Sequence, residues 1–196
     1  MVIDLKKCIA CHACTVVCKL ENGTPPGIFF SRVLEREVGT YPDVKKAILP
    51  VSCNHCKEPP CEAICPTKAI TKRDDSIVVT DYERCIGCRR CIAACPYNVR
   101  TYLEKIHGYF PGHTTPYEEV KYKKFKEETV VGCNFCVERV EKGLEPACVV
   151  SCPTNARYFG DLDDPQSEVS QLIKDRGGFQ LKPEAETEPS VYYLPR

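Results

Sequence analysis

Apolar positions along the chain come in short runs broken by turn residues. Val2-Ile3 and Ile77-Val78-Val79 read as short strands, the second following a polar turn at Lys72 to Asp75. Residues three or four apart share a helical face, so Cys14 to Cys18 and Cys91 to Cys95 each fit one turn of helix. Ser167 to Lys174 is expected to be a short helix, with Asp164-Pro165 as its start signal. The tail Lys182 to Arg196 is Pro- and Glu-rich and ends on Val191-Tyr192-Tyr193-Leu194, a pattern suited to lying extended along a surface, its own or a partner's. No apolar run approaches the ~20 residues that cross a bilayer. Asp4, Lys6 and Lys7 interrupt the N-terminus before an apolar leader core forms. A location outside the cytoplasm would therefore require carriage with a partner.

Charge and composition narrow the classes. Lys plus Arg number 27 and so do Asp plus Glu, a balance that gives no electrostatic reason for a nucleic-acid partner. The stretch Gly108 to Glu128 is rich in Pro, Tyr and Lys and reads as an insertion. Its Lys121, Lys123, Lys124 and Lys126 are offset by Glu118, Glu119, Glu127 and Glu128, which favours a solvated loop over a docking patch. There is no Trp and one Met among 196 residues, and Pro is high at 16, so ordinary apolar burial is expected to be thin. Cysteine is abundant at 16, and this is the residue type that staples chains with small cores.

The cysteines form an internal repeat of four groups. They are Cys8, Cys11, Cys14, Cys18; then Cys53, Cys56, Cys61, Cys65; then Cys85, Cys88, Cys91, Cys95; then Cys133, Cys136, Cys148, Cys152. Every group opens with C-x2-C and closes with C-x3-C. Cys8-Ile9-Ala10-Cys11 parallels Cys85-Ile86-Gly87-Cys88, and three groups end in Cys-Pro. Proline fixes φ and has no N–H, so it turns the chain away from the last cysteine. Lys19 replaces it in the first group, which predicts a helix continuing through Thr15 to Leu20 and an ammonium that is either a surface charge or a tuner of a nearby centre.

Disulfides, zinc and iron–sulfur clusters compete for these thiols. Disulfides fit an even count, but no secretory signal accompanies them. Zinc binds two pairs of thiolates in a tetrahedron, whereas groups one and three crowd three cysteines into seven residues. A cubane has corners wide enough for C-x2-C-x2-C, and in two-cluster ferredoxins the fourth ligand comes from the C-x3-C-P of the other group. Group three reads C-x2-C-x2-C-x3-C-P in full.

Sixteen thiolates at four per cluster make four [4Fe-4S] clusters with none left over. Exchange of the fourth ligand pairs neighbouring groups two and three. One cluster then takes Cys53, Cys56, Cys61 and Cys95, and its mate takes Cys85, Cys88, Cys91 and Cys65. Groups one and four pair from outside. One cluster takes Cys8, Cys11, Cys14 and Cys152; the other takes Cys133, Cys136, Cys148 and Cys18. Pairing one with two and three with four is the alternative.

The expected fold is α+β, with two interleaved bacterial-ferredoxin-like modules of short strands and helices. The outer module spans 1–50 and 129–160 and the inner module 51–107. The insertion spans 108–128, and a C-terminal extension spans 161–196. His12 and His55 lie inside cysteine groups but are superfluous as ligands. With Arg89 and Arg90 they are candidates for tuning a cluster through N–H donation to sulfur, while His107 and His113 are expected to face solvent. No nucleotide loop or nucleophile elbow is present, so no catalytic residue is assigned. Saturated clusters leave outer-sphere transfer of single electrons. A wire of this kind needs partners at both ends. A hydrogenase- or formate-linked subunit, a free polyferredoxin and a structural metal protein are the other classes.

The group order, the widened Cys56-Lys57-Glu58-Pro59-Pro60-Cys61 and the long gap Val137 to Ala147 resemble the four-cluster iron–sulfur subunits of the dimethyl sulfoxide reductase family of molybdopterin oxidoreductases. Met1 to Cys8, Gly160 to Pro165 and Leu181 to Glu184 are similar to the small subunits of respiratory arsenate reductase and of polysulfide or thiosulfate reductases. The resemblance implies a large catalytic partner with a molybdenum or tungsten bis-pterin and often a quinol-handling membrane subunit. It supports pairing group one with four and two with three. It also implies a periplasmic or membrane-associated site reached by co-export with the catalytic subunit, with the cytoplasm as the alternative.

Overall fold

The computed structural model describes residues 1–196. In chain order the elements are β1 (Val2–Asp4), α1 (Ala13–Asn22), β2 (Arg32–Val38), β3 (Lys45–Val51), α2 (Pro60–Ala63), β4 (Ile70–Lys72), β5 (Val78–Thr80), α3 (Arg90–Ala94), β6 (Thr101–Leu103), α4 (Pro116–Lys121), β7 (Thr129–Val131), α5 (Val137–Val140), α6 (Ala147–Val150), β8 (Arg157–Tyr158), α7 (Glu168–Arg176) and β9 (Tyr192–Leu194). The result is a mixed α/β fold of four small sheets and mostly single-turn helices.

The sheets connect the cysteine groups. β1 is the middle strand of the one three-stranded sheet, antiparallel to β8 and parallel to β9, with Val2 opposite both Tyr158 and Tyr192. The β2–β3 hairpin carries the chain from group one to group two, β4–β5 from two to three, and β6–β7 from three to four. The first group therefore shares a sheet with the end of the fourth. The apolar interior is divided into four clusters, the largest holding seven buried residues: Met1, Ile3, Ile77, Phe135, Val149, Val191 and Tyr193. Cysteines are themselves members of two others, Cys18 in one and Cys61 with Cys91 in another.

Local chemistry refines several expectations. The helix expected over 167–174 is α7, capped by the Ser167 hydroxyl accepting from the Ser170 N–H and ended by left-handed Gly177. The insertion is not wholly a loop. Thr115 and Glu118 form a capping box with Pro116 at the first helical position and so start α4. Lys121 donates to the Glu21 carbonyl at 2.8 Å and Lys126 pairs with Glu83 at 3.1 Å, so neither is free for a partner. The hydrophobic pattern does not predict the long β2–β3 hairpin. Most of it is exposed on both faces, so no period-2 contrast marks it. The tail lies along the protein's own surface. Lys57 N–H donates to the Glu188 carbonyl, Ser190 N–H donates to the Asn54 carbonyl, and the chain then enters β9 with Tyr193 and Leu194 buried.

Candidate functional site

Each cysteine group is built the same way. The residue before the second cysteine is left-handed in all four: Ala10, His55, Gly87 and Phe135. This backbone bends the opening C-x2-C into a loop. At Gly87 no side chain fits, because a Cβ would lie 2.1 Å from the Glu128 carbonyl oxygen. The third cysteine always sits on a helix: Cys14 on α1, Cys61 on α2, Cys91 on α3 and Cys148 on α6. After the fourth cysteine the chain turns through left-handed Lys68, Asn98 or Asn155 and enters β4, β6 or β8. In the first group α1 instead continues past Cys18 to Asn22.

The side chains of different groups come together. One cavity is lined by Cys8, Cys11, Cys14 and Cys152, and a second by Cys53, Cys56, Cys61 and Cys95. α1 packs on α6, which brings Cys18 beside Cys136 and Cys148; Asn22 Nδ2 lies 3.5 Å from Cys18 Sγ and 3.9 Å from Cys136 Sγ. α2 packs on α3, where Cys91 neighbours Cys85 and Cys88 while Cys65 and Cys85 flank the same apolar cluster. Cys133 neighbours both Cys18 and Cys53. Cys11 and Cys88 are exposed, beside Ile9 and Ile86, which are 62% and 67% exposed.

The chemistry of this donor set fits clusters. None of the sixteen cysteines is joined in a disulfide. Burial pushes Cys18 and Cys53 up to about 12 and Cys91 to about 11, so these thiols ionise near neutrality only when a cation replaces the proton. At Cys152 burial is outweighed by donors, chiefly the Ala156 N–H at 3.3 Å, and its pKa is lowered. Ala69 N–H meets Cys65 at 3.3 Å in the same way, and Val130 N–H meets Cys85 at 3.5 Å. Peptide N–H groups aimed at sulfur suit a thiolate ligand.

The tuning candidates separate. His12 lines the first cavity but is half exposed, and its Nε2 pairs with Glu35 at 2.7 Å. His55 is fully buried and stacks on Phe135 with ring centroids 3.6 Å apart. Its Nδ1 accepts the Val78 N–H at 2.9 Å, which leaves the proton on Nε2, a buried donor with no protein partner. Arg89 stacks on Tyr102 at 3.6 Å. Lys19 is neither a free surface charge nor directed at sulfur: its Nζ bonds the carbonyls of Thr24, Pro25 and Ile28 at 2.9–3.2 Å and clamps the loop after α1. His107 and His113 are exposed.

Two functional groups carry no mark in the cysteine spacing. Arg157 and Arg100 are 4% and 6% exposed and line the first and second cavities respectively. Their signal is present as a repeat, Cys95-Pro96-Tyr97-Asn98-Val99-Arg100 against Cys152-Pro153-Thr154-Asn155-Ala156-Arg157.

Comparison with known proteins agrees with this chemistry. The 4Fe-4S dicluster domain family matches residues 44–110 and 112–162, and a 4Fe-4S binding domain matches residues 5–23. A selenate reductase subunit of Mesobacillus selenatarsenatis is 44% identical over 99% of this chain and 70% of its own length. The arsenate respiratory reductase iron-sulfur subunit of Shewanella sp. strain ANA-3 is 40% identical over 99% of this chain and 94% of its own. A tetrathionate reductase subunit of Salmonella typhimurium is 42% identical over 99% of this chain and 71% of its own. The chain belongs to the 4Fe-4S dicluster family, as a small, non-catalytic iron–sulfur electron-transfer subunit homologous to the accessory subunits of the dimethyl sulfoxide reductase family.

Proposed function

We propose that the chain carries four [4Fe-4S] clusters and relays single electrons between a large molybdenum or tungsten bis-pterin catalytic subunit and a quinol-linked membrane subunit or other donor. The observation that carries this reading is the pair of cavities, each lined by three cysteines of one group and the last cysteine of another. The proposed quartets are Cys8, Cys11, Cys14, Cys152; then Cys133, Cys136, Cys148, Cys18; then Cys53, Cys56, Cys61, Cys95; then Cys85, Cys88, Cys91, Cys65. Proximity of Cys133 to Cys53 supports this spatial order, with one ferredoxin-like module threaded into the other.

The residues divide the work along the wire. The two middle quartets contain the buried Cys18 and the half-buried Cys53 and Cys133, and desolvation raises the pKa of all three thiols. The two quartets at the ends of the wire reach the surface at Cys11 and Cys88, where an incoming or outgoing electron has the shortest way through protein. When bound, the clusters supply the redox chemistry; the chain sets their spacing, dryness and hydrogen bonding. The terminal substrate is selected in the catalytic partner, since relatives named for selenate, arsenate and tetrathionate reductases are 40–44% identical to this chain. No helix is long and apolar enough to cross a membrane. Export together with the catalytic subunit would place the protein in the periplasm or at its membrane face.

The test is anaerobic isolation with metal analysis. The expected result is about sixteen iron and sixteen acid-labile sulfide per chain, co-eluting with a larger molybdenum- or tungsten-containing chain. Cys152→Ser should perturb the EPR signal also perturbed by Cys11→Ser. A shared signal between Cys152→Ser and Cys136→Ser alone would refute the quartets. A stable brown protein without a large partner would favour a free polyferredoxin.

A further inference from the structure

We infer that Arg157 and Arg100 are charge bridges, each placing one guanidinium between the two clusters of a module and raising the reduction potentials of both together. The inference rests on the quartets proposed above. Arg157 Nη1 lies 3.7 Å from Cys148 Sγ and within reach of the Cys14 thiol, so it touches one quartet of the outer pair on each side. Arg100 reaches Cys61 and faces Cys91 and Cys53, spanning the inner pair in the same way. In both modules the residues bridged include the third cysteines of the paired groups, each on its helix. In both the arginine stands five residues after the last cysteine of the repeat, just past a left-handed asparagine. Two modules of different sequence place the same charge in the same position.

Neither arginine has a carboxylate partner within 4.0 Å. Their other contacts are neutral: Met1 Sδ at 3.8 Å and Ser31 Oγ at 3.5 Å for Arg157, and Thr80 Oγ1 at 3.0 Å for Arg100. A buried cation without an anion is strongly unfavourable. A cubane with four thiolates is that anion, and it becomes one unit more negative when reduced. A cation held between two such centres stabilises the reduced form of each. The step it acts on is transfer of one electron from one cubane of a pair to the other; no bond forms or breaks and no proton moves. Raising both partners together keeps the pair reducible by a mild donor without creating a step between them. The remaining Cys-Pro group, group two ending at Cys65, carries Ile70 at the equivalent place, so each pair receives one guanidinium and not two.

The test is EPR-monitored redox titration of the complete complex, with signals assigned to modules by Cys11→Ser and Cys88→Ser. In Arg157→Met both outer-module clusters should lose at least about tenfold in reduced-to-oxidised ratio at fixed potential, about 59 mV for one electron, while the inner pair stays within a fraction of that. Arg100→Met should give the reverse pattern, and Arg157→Lys should restore most of the shift. Unmoved potentials at full iron content, a shift in one cluster of a pair only, or equal shifts in all four would overturn the inference. If Arg157→Met fails to assemble, Arg157→Lys decides: a full cluster content with near-native potentials supports a charge role, and loss of clusters there too assigns the arginine to shape. Wild-type protein with fewer than four [4Fe-4S] signals would refute the functional reading itself, a result separable from any of these.

Discussion

Asp4 shows how a single side chain ties the chain together. It is 1% exposed and accepts from the Lys6 and Lys7 amides and from Arg176 of α7 at 2.5 Å. Burial pushes its pKa up, and Arg176 with the two amides outweighs that, so the carboxyl titrates below its ordinary value. Its stabilisation is therefore present above about pH 3.9 and lost as pH falls through the depressed value. Arg176→Ala should raise the Asp4 pKa and move the acid limb of stability upward, as read by anaerobic unfolding at a series of pH values; an unchanged acid limb would contradict the pairing. Tyr193 is a second such point, buried with its hydroxyl donating to the Pro50 carbonyl at 2.9 Å. Tyr193→Phe should cost about 1 kcal/mol in an anaerobic denaturant titration. At this scale the eight cysteines that line the two cavities were legible, because spacing is written in the chain. Arg100 and Arg157 were missed, since an arginine near a turn is ordinarily a surface residue; their shared place five residues after a Cys-Pro cysteine was the available signal, and burial gives it meaning.

At the scale of elements, local chemistry decided most outcomes. Thr115 caps α4, and Glu118 closes the capping box by accepting the Thr115 N–H at 2.7 Å and the Tyr109 N–H at 2.8 Å. Thr115→Ala should weaken this segment by about 1 kcal/mol, visible as faster hydrogen exchange over residues 115–122. The same backbone donors, Thr115 foremost, hold the Glu118 carboxyl down to about 2. Its contribution is complete above the ordinary carboxylate range and vanishes only as pH falls toward 2. Exchange in this segment, corrected for intrinsic rates, should stay level from pH 6 to 4; a rise near 4.5 would show the box is absent. The Thr-Pro-x-Glu signature was readable, and its neighbouring Pro and Gly residues masked it. The β2–β3 hairpin was not readable, because strands exposed on both faces need no apolar period.

For the whole molecule, four small apolar clusters replace one continuous core, and thiols complete two of them. Bound iron–sulfur clusters would then hold the fold as well as conduct. Removal of iron by a chelator under reducing conditions should loosen the fold as a whole, with loss of far-UV ellipticity and rapid tryptic cleavage. A demetallated protein that kept native protease resistance would show that side-chain packing alone suffices. The pairing of group one with four had an open alternative in the bare spacing. Strand pairing of β1 with β8 is a long-range contact of the kind that local patterns do not encode.

Because β1 lies between β8 and β9, its hydrogen bonds wait for residues near 158 and 192–194. The strand is completed only when segments more than 150 residues away in sequence have folded onto it. The loop carrying Cys8 and Cys11 follows β1 directly, so any event that frees β8 or β9 also removes the footing of that loop.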